Sequence, residues 1–139
     1  MPMREEEIEK LLAKPNVAVV AVTAPDGAPH AVPTWYEYQG GEIVFHTAKS
    51  AFKYRCLAHD PRITLCVDTR KPPYKAVILK GRVRMEERLD DERTERMAIA
   101  YLGEKDGRAY ANSLKGEKVV VVRFRPTRVI SWDYGQEPP

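Results

Sequence analysis

The sequence predicts a mainly β fold: a closed antiparallel barrel of six to seven strands with helices inserted. Three observations carry that prediction. Short segments alternate apolar with polar residues, or run as β-branched blocks, over most of the chain. Tight-turn signals such as Asp26-Gly27 and Gly40-Gly41 separate several of them, which suits antiparallel neighbours better than the long crossovers of a parallel sheet. Closing the sheet would also remove exposed strand edges. With 139 residues, 43% of them hydrophobic and 31% charged, the chain fits a single domain and is too apolar to be disordered.

Taken in order, Ile8, Leu11 and Leu12 recur at helical spacing over residues 5–14, and Pro15 stops that helix. Residues 17–23 form a β-branched strand that turns at Ala24-Pro25-Asp26-Gly27, and residues 29–38 pair back as a hairpin. Gln39-Gly40-Gly41 makes the next turn before a strand over residues 42–47. Ser50 is placed to N-cap a helix through Ala58, which ends ahead of Asp60-Pro61. Ile63, Leu65 and Val67 alternate with polar partners, giving a strand with one buried face. Residues 74–85 read as one long strand, with Val77, Leu79, Val83 and Met85 on one parity and Lys80, Arg82 and Arg84 on the other. A helix over residues 90–102, stopped by Gly103, precedes a short irregular helix over 107–114. The last strands are residues 118–124 and 129–132, and residues 136–139 read as a loose tail. The runs 17–22 and 119–122 are apolar on both faces, so one face fills the barrel and the other meets a helix or a second subunit; a homodimer is expected.

No apolar stretch approaches the ~20 residues of a membrane helix, and residues 1–10 are charged where a signal peptide would be apolar, so a cytoplasmic protein is expected. Cys56 and Cys66 are too few for a disulfide framework. His30, His46 and His59 lack metal-like spacing, and Cys56 with His59 offers at most two ligands, so no metal is expected. No G-x-S-x-G, P-loop or G-x-G-x-x-G occurs, and no catalytic acid–base set stands out.

The most informative segment is residues 45–55, where a strand runs into a helix. Lys49, Lys53 and Arg55 crowd the helix start, with no acidic residue in the sequence between Glu42 and Asp60. A helix N-terminus prefers negative charge, so this cluster is either a solvated basic turn or a cradle for an anion, with the hydroxyls of Thr47 and Ser50 and a lysine reaching back. Lys75 shares the parity of Val77 and Leu79 and so points with the core face, where a charge needs a partner, a barrel mouth or a route to water. Trp35 and Trp132, each near a strand end, either pack or lie against a planar ligand.

Assembled in order, these segments resemble the FMN-binding split barrel proteins of the pyridoxamine 5′-phosphate oxidase-like superfamily. The resemblance runs over about residues 6–132 of a single domain, 1–139. It is carried by Val17-Ala18-Val19-Val20 leading to Asp26-Gly27, Val32-Pro33-Thr34-Trp35-Tyr36, Val44-Phe45-His46-Thr47, Lys53-Tyr54-Arg55-Cys56-Leu57 before Asp60-Pro61-Arg62, and Pro73-Tyr74-Lys75-Ala76-Val77 with Lys80-Gly81-Arg82. It implies a six-stranded antiparallel split β-barrel and a homodimer with cofactor at the subunit interface. By position, Val32, Pro33, Thr34 and Trp35 match the strand beside the cofactor's ring. Phe45, His46 and Thr47 match the strand end under its ribityl chain, and Ser50 and Lys53 match the phosphate clamp. Lys75 matches a polar position contributed across the interface, and Trp132 matches the C-terminal segment that closes over the site.

The chain departs from the family's oxidases where it reads Phe52-Lys53 in place of an Arg-Lys pair, and it lacks their basic C-terminal motif after Trp132, which argues against vitamin B6 oxidation. The pattern looks more like the branch of F420-dependent reductases, although FMN-binding members share the scaffold. The implied function is hydride transfer between bound F420 or FMN and a small unsaturated organic substrate. Lys53 would hold the phosphate, main-chain groups near Thr34 would polarise the ring, and the proton would come from water or Tyr36. A non-catalytic FMN carrier or sensor is the alternative. A barrel binding single-stranded nucleic acid through Lys49, Lys53, Arg55, Arg82 and Arg84 ranks third, because twenty acidic residues leave a net charge of only +3. Neither a nucleic-acid nor a membrane partner is expected.

Overall fold

The computed structural model describes residues 2–136. The elements in chain order are α1 (Glu5–Leu12), β1 (Ala18–Thr23), β2 (Pro29–Thr34), β3 (Glu37–Gln39), β4 (Glu42–Thr47), α2 (Phe52–His59), β5 (Arg62–Asp68), β6 (Lys75–Arg82), β7 (Arg84–Leu89), α3 (Asp91–Leu102), α4 (Glu104–Ser113), β8 (Lys118–Phe124) and β9 (Arg128–Asp133). A 3-10 turn, Tyr134–Gln136, follows; the rest of the expected tail, residues 137–139, lies outside the described residues.

Nine strands in two antiparallel sheets stand where six or seven are expected. The five-stranded sheet has the order β2-β1-β5-β6-β9, and the four-stranded sheet β3-β4-β8-β7. Both surplus strands arise by division. The segment expected as one strand over 29–38 breaks after Thr34, and that over 74–85 breaks at Val83, where the chain leaves one sheet for the other. At each break the alternation of sides continues into the next sheet, so periodicity alone cannot reveal the corner.

The two sheets enclose one apolar core. Phe45, Phe124, Ile43, Leu65, Leu79 and Val20 are wholly or almost wholly buried in it, and Leu11 and Leu12 of α1 and Leu57 of α2 join them from the ends. A second, smaller layer lies outside the barrel: Val44 and Val121, with Met97 and Ala98 of α3 and Ala111 of α4, are buried apart from the main cluster. The two-sided apolar character of residues 119–122 is therefore met by the helices.

Helices α3 and α4 cross at Gly107, where an added Cβ would lie 2.5 Å from the backbone of Ile99. Gly103, at φ 88°, makes the sharp turn between them. Because backbone cannot recede from a methyl group as a flexible side chain does, Gly107→Ala is expected to destabilise the protein by about 1–3 kcal/mol. Urea unfolding monitored by circular dichroism checks this.

The expected Ser50 N-cap is not formed. Ala51 occupies the cap position of α2, with no side-chain capping bond, and Ser50 is exposed in the preceding turn. The helix starts one residue later than expected, so the Ser50 hydroxyl is out of register with its free N–H groups.

The outer face of the five-stranded sheet carries an aligned apolar row, Pro33, Val19, Cys66, Ile78 and Ile130, each paired with the next across neighbouring strands. Trp132, 44% exposed, lies on the same face of β9, paired with Ala76. No helix among the described residues is long and apolar enough to cross a membrane.

Candidate functional site

The strand-to-helix junction after β4 sorts its three cations by their surroundings. Lys49 forms an ion pair with Glu87, which raises its pKa. The cluster, free of acids in the local sequence, is thus not free of them in the fold, because Glu87 arrives from β7, 38 residues along the chain from Lys49. Arg55 is exposed, its guanidinium 5.6 Å from the centre of the Phe52 ring. Lys53 is different: its half-buried ammonium has no acidic partner among the described residues. It lies 3.5 Å from Thr34 Oγ1, to which it donates, and 5.7 Å from the centre of the Phe45 ring. Burial pulls its pKa below the ordinary lysine value.

Beside this junction is a cavity of about 540 Å³ lined by Pro33, Thr34 and Trp35 from the β2 end and by His46, Thr47 and Ala48 from the β4 end. These two strand ends were both singled out by sequence, and the fold brings them to one place. The opposite wall was not foreseen: Thr94 and Met97 of α3, Tyr110 of α4, and Leu114, Glu117, Lys118 and Val119. Only the docking of the helical hairpin over β4 creates that wall, and nothing local in residues 91–119 announces it.

Trp35 is held rather than free. Its indole stacks on Tyr101 at 5.0 Å and 7°, and meets Tyr110 edge-on at 5.6 Å. One indole face is therefore covered within the chain. Tyr101 is fixed in turn, its hydroxyl donating to Asn16 O at 2.8 Å and accepting from Tyr36 N at 3.2 Å.

His46 lies between β4 and the start of α3, with Nε2 3.0 Å from Asp90 Oδ2 and Nδ1 3.4 Å from Thr94 Oγ1. A neutral ring with its proton on Nε2 donates to the carboxylate, while the Thr94 hydroxyl donates to Asp90 O at 2.9 Å and only abuts Nδ1. Burial lowers the ring's pKa, and it outweighs the raising effect of Asp90. With the folded pKa depressed, protons bind the unfolded chain more readily. The stability this site contributes is full above pH ~6.5, the unperturbed histidine value, and declines as pH falls through the lowered folded value. Urea unfolding between pH 7.5 and pH 5 is expected to show this decline, with a shallower slope for His46→Gln.

Several expected residues lie elsewhere. The Phe45 side chain is wholly buried in the barrel, so it supports Lys53 from below and does not face the cavity. Val32 is half-buried in β2 opposite Val20, and Ser50 is outside the cavity wall. Tyr36, expected as a possible proton donor, is buried, and its hydroxyl donates to Leu12 O at 2.9 Å. Burial also drives its pKa far upward, which removes it from that role.

Lys75 and Trp132 do not meet the cavity within one chain. Lys75 lies 3.8 Å from Glu7 Oε2 and 3.9 Å from Asp133 Oδ2, in a separate recess with Arg4 and Lys10. Trp132 packs loosely on Tyr134 at 5.9 Å. No group of three or more His, Cys, Asp or Glu among the described residues could hold a metal ion.

The model of the pyridoxamine 5′-phosphate oxidase family matches residues 4–133. Among solved structures, a conserved hypothetical protein of Mycobacterium tuberculosis superposes with TM-score 0.76 at 24% identity, covering 99% of this chain and 91% of that one. A protein described as an F420 reductase superposes at 0.69 and 23% identity, covering 87% and 94%. A heme storage protein of Vibrio cholerae does so at 0.68 and 17%, covering 94% and 95%. At such identities the likeness establishes the fold. A comparison with curated proteins finds no match.

Proposed function

The chain belongs to the pyridoxamine 5′-phosphate oxidase family, and on that premise we propose that it is a flavin- or deazaflavin-dependent oxidoreductase. In this reading it transfers a hydride between bound F420 or FMN and a small unsaturated organic substrate, and it works as a homodimer with the cofactor at the subunit seam. The single observation that carries the reading is Lys53, a half-buried ammonium that among the described residues has no carboxylate partner and bonds only to the hydroxyl of Thr34, which lines the open cavity. An uncompensated charge in such a place is costly unless an anion completes it. The terminal phosphate of either cofactor is such an anion.

When bound, the cofactor supplies the hydride chemistry through its tricyclic ring. The chain's own residues do the rest. Lys53 would neutralise the phosphate, and the backbone of residues 32–35 would border the ring. Trp35, backed by Tyr101, presents a fixed edge to the substrate. Met97, Tyr110 and Leu114 wall the cavity against water. The proton that accompanies hydride transfer comes from solvent, Tyr36 being unavailable. The apolar row from Pro33 to Ile130 supports the second subunit, and pairing there would bring Trp132, which shares that face, toward the seam, whereas Lys75 lies on the opposite face of β6.

The test is to titrate the protein separately with FMN, coenzyme F420 and hemin, following fluorescence or absorbance. Saturable tight binding of FMN or F420, together with turnover of an unsaturated acceptor, is the expected result. Binding without turnover on any acceptor would favour a non-catalytic carrier. Binding of hemin alone would overturn the reading, as would binding of none of the three.

A further inference from the structure

At one end of the five-stranded sheet, the outer face places like charges directly opposite one another. Arg62 of β5 pairs in register with Arg82 of β6, and one step along the sheet Lys80 of β6 pairs with Arg128 of β9. Directly opposed like charges destabilise a sheet, and here two such pairs are adjacent. Arg62 is partly compensated, because Asp60 accepts from its Nε and from its Nη2 at 2.7 Å. That carboxylate is held well below its usual pKa, at about 2, chiefly by Arg62. Arg82 and Arg128 make no ion pair and no side-chain hydrogen bond among the described residues, and Lys80 reaches only the Thr64 hydroxyl at 3.4 Å.

Arg62, Lys80 and Arg82 line a groove of about 610 Å³ between β1, the ends of β5 and β6, and the segment at Arg125 and Thr127, and Arg128 stands just outside it. This groove shares no lining residue with the cavity beside Lys53.

We propose that this groove is a binding site for a small anion carrying two or more linked phosphate groups. The spacing selects that chemistry. Residues two apart on one strand are separated by about 7 Å, and neighbouring strands by about 4.8 Å. Arg82 and Lys80 are therefore anchored farther apart than the oxygens of one tetrahedral anion, and a diphosphate can span from Arg62 and Arg82 to Lys80. Guanidinium groups suit phosphate oxygens in paired contacts, and the hydroxyls of Thr64 and Thr127 stand beside them. The apolar row of the same face lies next to the groove, so the site would remain open at the rim of a dimer. The inference is independent of the oxidoreductase reading.

The probe is inorganic pyrophosphate, titrated calorimetrically into the full chain at low ionic strength, with orthophosphate and sulfate run at matched ionic strength. Pyrophosphate is expected to bind at least tenfold more tightly than either. The surface variant Lys80→Gln/Arg82→Gln is expected to melt at a higher temperature than the parent without anion, since repulsion is relieved, and to lose at least tenfold in pyrophosphate affinity. Lys105→Gln, on α4, is expected to change neither, and Lys53→Ala is expected to keep pyrophosphate binding intact. The proposal is overturned if the three anions act alike at equal ionic strength, if the double variant binds as the parent does, or if Lys53→Ala abolishes binding.

Discussion

Lys53→Ala is expected to weaken binding of FMN or F420 about tenfold to a hundredfold, while the cofactor-free protein becomes no less stable. The first part follows from charge. A hydrogen bond to an ionised group contributes about 1.5–3 kcal/mol, and each 1.4 kcal/mol is about tenfold in affinity. The second part follows from Lys53 having a threonine but no carboxylate beside it. Its removal deletes a desolvated cation and breaks no ion pair. The pH dependence has a definite sign. With the folded pKa below the unfolded one, burial of the ammonium opposes folding fully at neutral pH, and this cost fades as pH rises through the lowered value toward the unperturbed one. A bound phosphate stabilises the charged form, so cofactor affinity falls over that same alkaline range. Thermal melts and fluorescence titrations between pH 7 and pH 10.5 check both halves, and Lys53→Arg should retain most of the affinity.

The second large effect is at the sheet face. If the proposed homodimer forms on this face, Ile78→Glu is expected to convert it to a monomer and to reduce cofactor affinity by about two orders of magnitude, because a cofactor held at the proposed seam would lose one wall. Ile78 sits in the middle of the row from Pro33 to Ile130 and is only partly covered in the single chain. An added carboxylate there is tolerated by the free protomer and strongly disfavoured in a dry interface. Leu89→Glu, on the exposed end of β7 in the other sheet, serves as the control and should leave the mass unchanged. Sedimentation equilibrium reads the mass, and titration reads the affinity.

The order of elements was legible in the sequence because it depends on local chemistry. Ile63, Leu65 and Val67 alternate, Pro15 and Gly103 stop helices, and Asp26-Gly27 turns a hairpin; all of these operate over a few residues. The corners at residues 35–36 and at Val83 were not legible, because a strand that changes sheets keeps its alternation. In the site, the two strand ends at Thr34 and Thr47 were readable from position. Glu87 on Lys49, Tyr101 under Trp35 and Asp90 on His46 were not, because each meets its partner through tertiary docking between residues far apart in the chain. Such docking also explains Tyr36, which reads as a polar residue near a site and is in fact tied to the end of α1.

The central claim is that Lys53 and Thr34 receive the phosphate of a tricyclic redox cofactor at the cavity beneath α3 and α4. A crystal structure of the chain with whichever of FMN and F420 binds more tightly tests it most directly. The account predicts the phosphate within hydrogen-bonding distance of Lys53 Nζ, with the ring along residues 32–35. A cofactor ordered elsewhere, with Lys53 still bonded only to Thr34, would contradict it.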